Sequence, residues 1–174
     1  MSTLPIANDS CEVEPIIVNG QTFPALKMKP YSEHDFTIFD SKNRSSSTGK
    51  LEDTIDTKGL TIDKMESLFD GILKDIKTLT NHNVRLGGDC FNMAQSKDGK
   101  LRLFINDLGE IPENSEKIED KQRVMQIYIE RAIDNFFSGF SNEAYYASKE
   151  LKELGSPENT SILTERLLAK INAQ

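Results

Sequence analysis

Three residues in the middle of the chain have the types and spacing to hold a divalent cation: Asp89, Asn92 and Asp107. Carboxylate and amide oxygens are hard ligands and suit Mg²⁺. They meet only if the segment between them doubles back. Asp98-Gly99 supplies that reversal, because Asp-Gly is a strong signal for a two-residue hairpin turn. Met93 to Gln95 and Leu101 to Ile105 read as the flanking strands. A two-residue loop gives opposed residues whose numbers sum to about 197. Met93 then faces Phe104, Asn92 lies beside Ile105, and Cys90 lies beside Asp107. The three oxygen-bearing residues gather at one end of a small ribbon. Mg²⁺ held in this way is what phosphoryl transfer from ATP requires. In that chemistry Asn92 and Asp107 hold the metal and its nucleotide, and Asp89 is the candidate catalytic base. The ordinary alternatives are a strand-closing Asp at 107 and a loop Asn bonded to backbone at 92.

The elements that position such a ribbon are legible on both sides of it. Met65, Leu68, Phe69, Ile72, Leu73, Ile76 and Leu79 recur at steps of three and four, which predicts an amphipathic helix over 62–80. Thr61 is its N-cap, and Asn81 to Asn83 end it. Downstream, a helix over 117–137 carries Val124, Ile127, Tyr128, Arg131 and Phe136 on or near one face. Ser141 caps a helix over 142–154 that Gly155 ends. Ser156-Pro157 opens the last helix, with Pro at its first position. Its stripe is Ile162, Leu163, Leu167, Leu168 and Ile171. Upstream, Pro15 to Met28 reads as two strands around Asn19-Gly20, a turn pair that tolerates positive φ. Pro24 places its part of the second strand at an edge or a bulge. Residues 41–59 lack periodicity, and Arg44 to Gly49 reads as a surface loop.

At this point the chain resembles a known family. The segments NVRLGGDCFNM over Asn83–Met93 and LFINDL over Leu103–Leu108 resemble the C-lobe of the small type III secreted effector kinases of the OspG and NleH kind. Glu119 to Phe137 resembles the helix that follows the metal-binding motif in that family. Gln21 to Lys29 resembles the strand entering the hinge, and Tyr31 to Phe39 the segment after it. The resemblance implies that Asn92 and Asp107 match the metal-binding Asn and Asp. It also implies departures. The triplet holding the catalytic Asp falls on Arg85-Leu86-Gly87, so Gly87 stands where that Asp belongs, and Asp89 comes two positions late. No Gly-rich loop precedes a strand, and no strand lysine with a partner glutamate can be placed. Positioning and electrostatics supply nearly all the catalysis in phosphoryl transfer, so the resemblance implies a pseudokinase.

Composition narrows the rest. The 174 residues suit one domain, too few for a two-lobed kinase. A net charge of -7 and a pI near 4.9 disfavour nucleic acid and anionic membranes as partners. The chain has no apolar run long enough to span a membrane. Two cysteines without a CxxC pair and two histidines argue against structural zinc. Residues 1–14 have no basic or apolar signal-peptide region and read as a polar leader of the kind type III secretion uses. Gly87-Gly88 is followed by no GK[ST], which removes a P-loop. His82 reads as a helix cap, Cys90 as a packed loop thiol, and Tyr145-Tyr146 as one packed and one exposed tyrosine.

The expected fold is α+β: a mostly helical protein-kinase-like C-lobe over 15–174 with a vestigial N-terminal β-ribbon. The expected function is a bacterial effector, secreted into the host cytoplasm, that binds a host signalling kinase or ubiquitin-system protein. One alternative is a kinase that uses ATP and Mg²⁺ and is completed by a partner. The other is a secretion chaperone residing in the bacterial cytoplasm.

Overall fold

The computed structural model describes residues 12–27, 36–39, 55, 57–85, 91–96, 101–105 and 117–173. Asp89, Cys90 and Asp107 lie outside the described residues, as do the Gly87-Gly88 pair, the Asp98-Gly99 turn and the loop at Arg44 to Gly49. The chain is mostly helical, in the α+β class. It runs β1 (Glu12–Val18), β2 (Gln21–Lys27), β3 (Phe36–Phe39), α1 (Ile62–Asn81), β4 (Phe91–Ser96), β5 (Leu101–Ile105), α2 (Lys121–Ser138), α3 (Asn142–Ala147), α4 (Lys149–Leu154) and α5 (Pro157–Ala173).

The N-terminal hairpin forms as its turn chemistry demands. Asn19 and Gly20 take φ values of 51° and 77°, the pair of positive angles that a type I′ turn needs. Val18 pairs with Gln21 beside the loop, and Pro15 comes opposite Pro24. Hydrogen-bonded and non-hydrogen-bonded pairs alternate along an antiparallel ladder. Counting from Val18 and Gln21 puts the two prolines in a non-hydrogen-bonded pair, where a missing N–H removes no ladder bond. The positions without N–H fall on the two outer edges and deny donors to an added strand.

The second sheet has the order β3-β4-β5, antiparallel throughout. The strand at Phe36–Phe39 is new relative to the sequence reading, which took that stretch only as a segment after a hinge. The ribbon register also differs from expectation. Asn92 lies opposite Phe104 rather than Ile105, and Met93 opposite Leu103 rather than Phe104. These pairs have even sums, and a two-residue loop at Asp98-Gly99 requires odd ones. Leu101 and Leu103 are fully buried, on the strand that packs against α1. Where one face of a strand is buried, that face fixes the register more strongly than turn residues do.

The core sits between α1, α2, α5 and β5. Thr61 caps α1, its hydroxyl accepting from the Lys64 N–H at 3.3 Å. Met65, Phe69, Ile72, Leu73, Ile76 and Leu79 are buried as the stripe predicts, while Leu68 packs at the margin. On α2 the buried face is Tyr128, Ile129, Ala132, Ile133 and Phe136. The expected stripe through Ile127 and Arg131 is thus rotated by about one residue, and those two are half-buried. The first three of the residues expected in that helix precede its N-cap Asp120. The expected helix over 142–154 is two helices. Ser148 takes an extended φ of -87° and ψ of 117°, ending α3 and capping α4 through Leu151 N at 3.2 Å. A serine hydroxyl that can cap competes with helix continuation at that point.

Aromatic rings tie α1 to α2. Phe69 and Phe136 have centroids 5.8 Å apart, and Phe136 meets Phe140 edge-on at 5.3 Å. Outside the core, α5 is clipped to α1. Arg166 pairs with Asp63 at 2.6 Å, Lys170 pairs with Asp70, and Lys77 donates to the Ile171 carbonyl at 3.1 Å. The ion pairs are partly solvated and contribute modestly. The hydrogen bond from Lys170 to Asp70, ahead of the other charges, raises the Lys170 ammonium above its usual range.

Phe136→Ala removes the ring that α1 and α2 share, and should lower unfolding free energy by about 3–5 kcal/mol in a urea titration. Partial burial, and then Glu130 one turn earlier, raise the Asp134 carboxyl above the usual aspartate range. The folded chain therefore holds that proton more tightly than the unfolded one, and stability falls as pH rises through the carboxylate range. Asp134→Asn should raise Tm slightly at neutral pH. The gain should vanish in acid below the ordinary aspartate range.

Candidate functional site

Of the three expected ligands, the structure places Asn92, as the second residue of β4. Its side chain and both aspartates are outside what is described. The ends of the ribbon are described. Phe91 opens β4, Ile105 closes β5, and the two are directly opposed. Asp89 is two residues before that pair in sequence and Asp107 two residues after it, so both chain segments leave from the same end of the ribbon.

How that end is anchored is visible on its helical side. Asn83 follows α1 with φ of 58°, the left-handed position that Asn tolerates at a helix end. Val84 N donates to the Leu79 carbonyl at 2.9 Å, closing the helix terminus. His82 caps the same turn, its Nδ1 lying 2.8 Å from the Thr78 carbonyl oxygen. From there the chain is held to α2 and its approach. The Tyr128 hydroxyl donates to the Val84 carbonyl at 2.9 Å, and the Ile118 N–H donates to Asn83 Oδ1 at 3.1 Å. The residues entering the Asp89 segment and those leaving the Asp107 segment are thereby tied together. Sequence reasoning missed this latch. Asn at the end of a predicted helix was its one signal, and the partners lie 35 and 44 residues away.

Beside the latch lies a cavity of about 710 Å³ whose lining includes Arg85, Lys117 and Arg123. A second cavity of about 370 Å³ lies where α1 begins against α4 and α5, with Asp63, Glu150 and Glu153 on its wall. Among the described residues no three His, Cys, Asp or Glu side chains are grouped to hold a metal. Tyr145 packs edge-on against Phe137 at 6.2 Å, and Tyr146 is exposed, as the sequence divides them.

No family model matches the chain, and no curated protein or solved structure matches it either. Among the described residues no helix is long and apolar enough to cross a membrane.

Asn83→Ala removes both the left-handed tolerance and the Ile118 bond, and should destabilise by about 1–2 kcal/mol. Asn83→Gly restores only the backbone freedom. It should recover part of that loss in a thermal or urea melt, and full recovery would show that the side-chain bond is idle.

Proposed function

We propose that this chain is an interaction protein built on a degenerate kinase-like C-lobe. In this reading it is a secreted bacterial effector that engages a host signalling kinase or a ubiquitin-system protein. The observation that carries the interaction role is the β1–β2 hairpin. Ile16, Ile17, Val18 and Phe23 are all exposed, Ile17 at 75%. Among the described elements the hairpin packs chiefly strand on strand. An isolated two-stranded hairpin is marginal in water. Ile16, Val18 and Phe23 share one face of it and Ile17 lies on the other, and exposed apolar surface of this kind marks a contact surface. The kinase-like part of the reading is supported by the order of elements: a long amphipathic helix, an antiparallel ribbon, and a second long helix packed against the first.

A second reading is favoured by the ribbon ends. Asp89 and Asp107 flank one opposed strand pair that also carries Asn92, and this oxygen-rich set suits Mg²⁺ with ATP. That reading makes the chain a phosphotransferase whose missing lysine and phosphate lid come from a partner. A secretion chaperone has no comparable support, because its expected basis is a larger sheet.

Capture from host lysate by the wild-type chain and by Ile17→Asp/Phe23→Asp tests the interaction reading. A signalling or ubiquitin-system protein should be retained by the first and lost by the second, with unchanged melting of the variant. Equal retention by both would remove the hairpin as the contact.

A further inference from the structure

We infer that the cavity between the end of α1 and the start of α2 is a binding site for a small polyanion, a phosphate ester or polyphosphate. Arg85, Lys117 and Arg123 reach it from three separate points: the exit of α1, the approach to α2 and the first turn of α2. Among the described residues none of the three side chains has an ion pair or hydrogen bond, although Glu119 and Asp120 line the same cavity. Asp120 is committed elsewhere, its carboxylate capping α2 by accepting from the Arg123 N–H at 2.9 Å. Arg166 and Lys170 are held by Asp63 and Asp70, whereas these three exposed cations line one cavity of a chain whose net charge is -7.

The cavity's size admits a small molecule. About 710 Å³ lies within the usual range for small-molecule sites and exceeds what one inorganic ion fills. Ile118 and Val124 give it an apolar wall, against which the uncharged part of an ester can rest. Guanidinium groups bind phosphate oxygens by paired N–H donors, and the ammonium adds a compact charge. The floor is pre-set by the latch, since Ile118 N is fixed to Asn83. This site uses none of Asp89, Asn92 or Asp107 and does not depend on magnesium.

The test is isothermal titration of the full chain with sodium pyrophosphate in magnesium-free buffer at two ionic strengths, beside inorganic phosphate. Pyrophosphate should bind more tightly than phosphate, and its affinity should fall as salt rises. Arg85→Ala/Lys117→Ala should weaken it by at least about tenfold, because charge-assisted hydrogen bonds are the strong ones. Arg123→Lys keeps the charge but loses the paired donors and should bind more tightly than Arg123→Ala, and Lys149→Ala/Lys152→Ala on α4 should leave binding unchanged. Among the described residues the substituted cations have no partner, so a melt should confirm that each variant stays folded. Absence of heat, equal affinity for the two anions, or unchanged binding in the double variant would overturn the assignment.

Discussion

The buried stripe of α1 meets three partners at once, and β5, α2 and α5 are placed by what they bury there. Met65, Phe69, Ile72, Leu73, Ile76 and Leu79 form one continuous apolar surface along a twenty-residue helix. β5 presents Leu101 and Leu103 to the core, α2 brings Phe136, and α5 brings Leu163, Leu167 and Ile171. Burial of apolar area is the dominant favourable term in folding, and it has no direction of its own. Direction comes from polar contacts at the ends of the stripe. Thr61 starts the helix, and His82 and Asn83 stop it. Tyr128 and Ile118 then hold the departing chain against α2 and its approach.

That division of labour explains why the ribbon end and the N-terminal hairpin differ so sharply. The ribbon is rigidified because one face of β5 is part of the core. The hairpin has a well-defined turn and register, and among its described side chains Ile16, Ile17, Val18 and Phe23 stay in solvent. Prolines at its outer edges oppose extension of the sheet sideways. A partner would therefore have to meet the hairpin on a face, with side chains, rather than add a strand.

The helices were legible where a single signal dominated. The α1 stripe has seven apolar residues in strict three-and-four spacing, and Ser156-Pro157 announces α5 unambiguously. Asn19-Gly20 specified both the turn and the register of the first hairpin. Errors arose where local and tertiary signals competed. Asp98-Gly99 argued for one ribbon register, and burial of Leu101 and Leu103 chose another. Arg131 was grouped with an apolar face on α2 because Ile127 and Tyr128 flank it at helical spacing. The core instead takes Ile129, Ala132 and Ile133. Of the candidate metal site, Asn92 falls in β4, one residue before the strand expected from Met93, and both aspartates lie outside the described residues. The latch at Asn83, Val84 and Tyr128 depends on contacts too distant in sequence for any spacing rule.

The proposed interaction role and the second reading part at one point: whether Asn92 and Asp107 hold Mg-ATP. Titration of the purified chain with ATP, with and without Mg²⁺ and beside Asp107→Ala, addresses it most directly. The account predicts that magnesium adds no binding and that the variant behaves as the wild type does. Magnesium-dependent binding that disappears in Asp107→Ala would contradict it and establish a working nucleotide site.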